Sequence, residues 1–325
     1  MRPLPTRRFR PRPLDGPVRY TREEFGAIPC NETRAAATNL MVNTPIQNGG
    51  SPSEKTPSEF SRLAIVTGVV ALWMSAGWIL RLSANAYLLL GIPLLFIFQT
   101  RVARRPLLEV WFARPRRFSL PWWGWLAAAG FMMQPIHSLL TWKNPGLDVQ
   151  LWLVSAALGA IPLAWSLAIC TRAQWRQLAM CLLTVGAVAA LTLAIGYLVR
   201  AHAAWTPTAR LLEGLRSLAL YLPVCFMIEE VFFRGGLDSY LTRGGNRLPW
   251  FSAFYLSALW GWWHLPTVAL QPEHKVAQLA VLALALPLVH CGIGALFSFF
   301  WRRSGLLLVP VFAHAFIDAV RNALQ

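Results

Sequence analysis

From Leu63 onward the sequence is a succession of apolar runs of about 20 residues, each long enough to cross a hydrocarbon core of roughly 30 Å. Inside lipid a backbone must satisfy its own polar groups, and a helix does so within one segment. The composition agrees: 56% of the 325 residues are hydrophobic and 14% are charged, with a mean hydropathy of +0.45. A soluble domain carries about a quarter charged residues. The expected fold is therefore all-α, a polytopic transmembrane bundle of eight to nine spans. Nine candidate spans can be marked, at 63–80, 84–99, 121–141, 151–170, 178–199, 215–234, 250–269, 276–300 and 305–321.

The formal net charge of +16 invites a nucleic-acid reading, but the basic residues sit in the N-terminal segment and in short loops between spans. That placement serves topology and lipid headgroups, so no nucleic-acid partner is expected. With the N-terminus inside, the inner loops collect Arg101, Arg104, Arg105, Arg114, Arg116 and Arg117, then Arg172 with Arg176, Arg243 with Arg247, and Arg302 with Arg303. The outer loops hold Arg81, Lys143, Arg200, Arg210 and Lys275. The bias predicts a cytoplasmic N-terminus and an outer C-terminus, in a plasma (inner) membrane. Cysteines at 30, 170, 181, 225 and 291 form no CxxC pair, which indicates neither a disulfide framework nor a thiolate metal site.

Residues 1–60 differ from the rest of the chain. "MRPLPTRRFRPRPL" is Arg/Pro-rich and "NTPIQNGGSPSEKTPSEF" is polar, so neither can build a core, and the segment reads as a disordered tail. Asp15, Glu23, Glu24 and Glu32 are unusual for a transit peptide, Met41 offers an alternative start, and the "NET" sequon at 31–33 would be silent on a cytoplasmic tail. Residues 61–200 then read as N-terminal transmembrane helices and 201–325 as the chemistry-bearing core.

The first five spans are nearly free of ionisable groups, His137 excepted, whereas the last four carry Glu229, Glu230, Arg234, His264, His290, His314 and Asp318. Each charge at mid-membrane costs about 2.5–3.5 kcal/mol on the insertion scale, and bearing that cost on several helices at once points to a polar cavity. Residues four apart share a helix face while neighbours diverge by about 100°. In "CFMIEEVFFRGG" Glu230 therefore meets Arg234 as a structural ion pair, and Glu229 is left on the face of Cys225 and Phe233. The same spacing joins Trp260 to His264 and His314 to Asp318. Such a set suits water activation, and equally a His/carboxylate zinc site with His264, His314 and Asp318 as candidate ligands. The cofactor expectation is none, or one divalent metal. His290 reads as a hydrogen-bonded core histidine, with lining of the same cavity as its alternative, His137 as structural, and His202 and His274 as solvated. On these span limits Glu229 and His264 lie about 10 Å apart in depth at 1.5 Å per residue, unless span six continues toward Tyr240 and span seven begins nearer Phe254.

These residues resemble the CPBP intramembrane proteases, which include type II CAAX prenyl endopeptidases and bacteriocin-processing proteins. Their EExxxR, FxxxH and HxxxN motifs lie on separate transmembrane helices. Here "EEVFFR" matches outright, "WGWWH" places Trp260 where the family has phenylalanine, and "HAFID" places Asp318 where it has asparagine. The similarity covers roughly 215–322. The resemblance implies that Glu229 and His264 activate the attacking water and that His314, with Asp318, forms the oxyanion site. An aspartate there has to carry a proton in order to donate. The function implied is an intramembrane endopeptidase acting on a membrane-embedded or lipid-anchored protein substrate, with or without a metal. A non-proteolytic membrane scaffold on the same fold is the alternative, and a proton-coupled transporter, for which no internal repeat speaks, a weaker one.

Because nothing in residues 1–40 can pack or reach the site, their deletion is expected to leave membrane insertion and activity unchanged. A truncated protein that inserts normally yet loses activity would overturn that reading.

Overall fold

The structure, a computed structural model, describes residues 57–113, 117–199, 207–243, 249–268, 270 and 272–324. The tail to residue 56, including the sequon, Met41 and Cys30, lies outside the described residues, as do Arg114, Arg116, Arg200, His202 and Arg247.

The described chain is helical. Helix α1 (Glu59–Leu80) is capped by Ser58, whose hydroxyl accepts from the Ser61 amide. Helices α2 (Ala84–Leu89) and α3 (Gly91–Ile97) come next and run on through a π turn at Phe98–Val102. After them come α4 (Trp122–Thr141), α5 (Leu147–Ala168), α6 (Arg172–Val199) and α7 (Pro207–Met227). Helix α7 continues through a π-helical stretch, Val231–Asp238, into α8 (Ser239–Leu241). The last three are α9 (Pro249–Trp263), α10 (Lys275–Ser304) and α11 (Leu308–Leu324). The only β pairing among the described residues is an isolated bridge between Phe112 and Leu306. Five helical stretches are long and apolar enough to cross a membrane by length and composition: Glu59–Leu80, Ala84–Val102, Leu147–Ala168, Arg210–Leu241 and Lys275–Ser304.

Large apolar side chains point outward on most helices, among them Leu72, Leu140, Leu183, Leu284 and Leu288. Such a surface is untenable in water and suited to lipid tails. The interior is built mainly from α7 to α11, with α9 packed along α10 and α7 along α11. The N-terminal helices close the back of this core. Trp73 of α1 and Tyr87 of α2 interlock with Phe232, Phe233 and Trp263, with ring centroids of Trp73 and Trp263 4.8 Å apart.

Span six extends beyond its apolar run. The sequence limit at Arg234 reflects the charged and glycine residues there, but the helix carries on to Leu241 by widening into a π helix. Gly235 lies within this stretch, where a Cβ would collide with the Val110 backbone, so the wide turn and the close approach of the 107–110 segment depend on it. Span seven instead begins at Pro249 and stops at Trp263, short of the expected residue 269. Pro266 disfavours α geometry at the residue before it, and the chain tightens into a 3-10 turn at Leu265–Thr267. The carbonyls this frees are capped by side chains: Tyr87 Oη donates to Trp263 O at 2.9 Å and Thr267 Oγ1 to His264 O at 2.7 Å.

Helix α10 carries Pro287, whose missing amide leaves the Ala283 carbonyl without its helical partner. Trp262 Nε1 of α9 fills the vacancy at 2.7 Å. One residue away, Gly261 lets the two backbones touch: a Cβ there would stand 2.6 Å from Leu286 O and 2.7 Å from Pro287 Cα. Gly261→Ala is expected to push α9 off α10 and lower the yield and thermal stability of detergent-purified protein. Gly292→Ala, with nothing within 4 Å of its added Cβ, serves as the control and should behave as wild type. Equal stability of the two variants would refute the close-packing account.

Candidate active site

The extension of span six to Leu241 brings the polar residues level along their helices, while span seven begins at Pro249 and not nearer Phe254. Glu229 lies 12 residues from Leu241 and His264 lies 15 from Pro249, roughly 18 and 22 Å along their helices.

Glu230 and Arg234 pair as the four-residue spacing predicts, with Nε–Oε2 at 3.4 Å and both side chains fully buried. Arg234 also donates to Gly294 O of α10 at 3.2 Å, and its guanidinium lies over the rings of Trp260, at 4.5 Å, and Phe297, at 5.3 Å. The cation is thus held by one carboxylate, one carbonyl and two π faces. Glu230 has a second partner that helix geometry alone does not reveal: its Oε1 accepts from His314 Nδ1 of α11 at 2.8 Å.

Glu229 points into a different space. Its Oε2 accepts from Trp260 Nε1 at 3.2 Å and stands 3.9 Å from His264 Nε2 and 3.8 Å from His314 Nε2. His264 directs Nδ1 at the Trp260 carbonyl, 2.8 Å away. A carbonyl can only accept, so Nδ1 carries the proton and the neutral ring offers a lone pair at Nε2, on the side of Glu229. A water within hydrogen-bond reach of both atoms fits a separation of 3.9 Å. Asp318 places Oδ2 3.6 Å from His314 Nε2 and Oδ1 3.2 Å from Arg321.

Glu229, Glu230, Arg234, His264, His314 and Asp318 therefore converge from three helices. His290 joins them: its ring centroid lies 4.5 Å from that of His264 and 4.7 Å from that of Trp260, with Nδ1 on Leu286 O at 2.7 Å. It satisfies its hydrogen bond as a core histidine does and also borders the cluster. His137 and His274 are exposed. Cys225, Glu229's neighbour one turn back, is the residue that joins His314 and Asp318 in a group able to share a metal ion, their ligating atoms all lying within 4.8 Å of one another. His264, a ligand candidate from sequence, lies outside that trio.

Below the cluster, Asp238 is fully buried and bound by Arg302 through Nε at 3.0 Å and NH2, while Arg302 also reaches Pro249 O and Ser252 Oγ. By sequence Arg302 counts only as loop charge. The pair ties the far end of the π stretch to α9 and α10, and the buried acid eight residues after Glu230 was the available signal.

Carboxylates, imidazoles and a guanidinium gather inside an apolar bundle as a network of several buried polar groups rather than a lone ion pair. The match to known families agrees: residues 212–320 match the family model of Rce1-like type II CAAX prenyl endopeptidases, the group to which the three motifs point. This supports a CAAX-type intramembrane endopeptidase in general and, with the apolar helices, a membrane protein. Neither a curated protein nor a solved structure matches the chain.

Glu230→Ala would strand Arg234 and release His314 at once. Removing one partner of a buried pair costs about 3–5 kcal/mol, so folded protein should fall sharply. Glu229→Ala removes a half-buried acid while His264 and His314 keep their other hydrogen bonds, so that only the Trp260 indole N–H loses its acceptor, and it should accumulate like wild type. Indistinguishable melting curves for the two variants would contradict this division.

Proposed function

We propose that the protein is an intramembrane endopeptidase that hydrolyses a peptide bond of a membrane-embedded or lipid-anchored protein, with Glu229 and His264 as the water-activating pair. The observation that carries this reading is the approach of Glu229 Oε2 to His264 Nε2, with Trp260 Nε1 anchoring the carboxylate. In the attack step Glu229 takes a proton from the water and the oxygen bonds to the scissile carbonyl carbon. The electron pair moves to the carbonyl oxygen, where His314 in its charged form donates from Nε2 while Nδ1 stays on Glu230. Asp318, when protonated, is the second donor. Collapse of the intermediate breaks the C–N bond, and the proton held by Glu229 passes to the leaving amine. Trp260 and the Glu230–Arg234 pair hold the groups in place without touching substrate.

The same reading takes all nine helical stretches as spans, α4, α6, α9 and α11 crossing beside the five long apolar ones. The N-terminus is cytoplasmic, the C-terminus outside, and the membrane the plasma (inner) membrane, as the loop charges require. A polar cluster sealed among apolar helices favours hydrolysis over a scaffold, which needs no free carboxylate.

The direct test is a membrane proteome of cells carrying wild type or Glu229→Gln: an uncleaved precursor should accumulate only with the variant, at equal protein levels. If no substrate differs, the proteolytic reading fails. For Asp318, asparagine carries its donor at any pH, so Asp318→Asn should stay active and hold activity to higher pH than wild type. Asp318→Ala should lose roughly 10²–10³ in rate, the usual worth of one oxyanion donor. An Asp318→Asn protein as inactive as the alanine variant, with wild type reversibly inactivated by chelator, would instead make Asp318 a ligand of a catalytic metal.

A further inference from the structure

We infer that Cys225, His314 and Asp318 form a binding site for a thiophilic divalent cation such as Zn²⁺, and that the cation competes with hydrolysis for His314. The three side chains come from two helices, α7 and α11, and all are buried. Their ligating atoms lie within 4.8 Å of one another. Tetrahedral zinc with bonds of about 2.0–2.3 Å separates its ligands by roughly 3.3–3.8 Å, so closure needs a movement of about an ångström.

Two further observations show that these side chains are presented as ligands are. His314 Nδ1 bonds to the buried Glu230 carboxylate at 2.8 Å, which fixes the ring and, in the neutral tautomer, turns the Nε2 lone pair toward Asp318 and Glu229. A carboxylate behind a histidine is the usual outer support of a metal ligand. Asp318 is steadied in turn by Arg321 at 3.2 Å on its other oxygen. A fourth position faces Glu229, whose Oε2 stands 3.8 Å from His314 Nε2, and can be taken by that carboxylate or by water.

Charge favours occupancy. In the form a cation would bind, with His314 neutral and Asp318 ionised rather than protonated as for hydrolysis, Glu229, Glu230 and Asp318 against Arg234 and Arg321 leave −1 (three minus, two plus). Binding releases the Cys225 thiol proton, and a thiolate with Zn²⁺ adds +1, so the filled site is neutral where the dielectric is low. Thiolate, imidazole and carboxylate together select zinc or cadmium over magnesium or calcium.

The competition rests on the proposed function, because His314 Nε2 cannot bind a cation and donate to an oxyanion at once; the binding does not rest on it. Cd²⁺ titrated into the purified full-length protein in detergent reports thiolate ligation directly, by its ultraviolet charge-transfer band and by metal content after desalting. Wild type should bind one equivalent with the band, and Zn²⁺ should displace it. Cys225→Ala should lose the band and weaken binding by at least about tenfold, while remaining as active as metal-free wild type and resisting Zn²⁺ inhibition. An unchanged band in Cys225→Ala, or no band in wild type, overturns the site. Binding as expected in a protein that cleaves nothing would leave the site standing and refute the proteolytic reading instead.

Discussion

Glu230 is the residue on which the polar interior depends. A single carboxylate, excluded from solvent, answers Arg234 within its own helix and His314 from another. Neither partner could be left alone there: an unpaired buried charge costs several kcal/mol, more than one helix contact returns. The shared carboxylate therefore couples the packing of α7 on α11 to the orientation of the imidazole between them. Arg234 extends the coupling to α10 through Gly294 O, and to α9 through the face of Trp260. Four helices are fixed relative to one another around one acid, and the carboxylate beside it, Glu229, is left to face Trp260, His264 and His314.

Much of this was legible in the sequence, because helix periodicity is a strong constraint where every segment must be helical. The pairing of Glu230 with Arg234, the separate direction of Glu229 and the meeting of His314 with Asp318 all derive from a spacing of four. What that spacing cannot give is contact between helices. The bond from His314 to Glu230 and the nearness of Cys225 to Asp318 depend on how α7 lies against α11. The approach of His290 to His264 likewise depends on how α10 lies against α9. Hydropathy also misplaced several helix ends, two of them beside the site. Span six outruns its apolar run because a π stretch with buried Arg234 and Asp238 continues it, their charges met by Glu230 and Arg302. Span seven falls short because Pro266 ends it while apolar residues carry on.

Two departures from the resembled motifs acquire physical content in the structure. Trp260, in place of phenylalanine, supplies an indole N–H to Glu229 as well as a ring face to Arg234. Asp318, in place of asparagine, brings a titratable carboxyl whose Oδ1 lies 3.2 Å from Arg321. Both substitutions add a polar function to a position that otherwise offers packing or a neutral amide. The first steadies a carboxylate; the second puts an acid where the motif has an amide.

The brevity of α9 bears on the lipid around it. Its 15 residues measure about 22 Å, against a hydrocarbon core of about 30 Å, while its neighbour α10, at 30 residues, measures about 45 Å. On the proposed reading in which α9 crosses the membrane, a bilayer bordering both must thin beside the short helix or let the long one tilt. Thinning would draw the headgroup region down toward His264, at the helix's end. Water would then have a short path to a site that apolar helices otherwise seal. On this view catalytic rate would vary with acyl-chain length, faster in thin bilayers and slower in thick ones, with the protein itself unchanged.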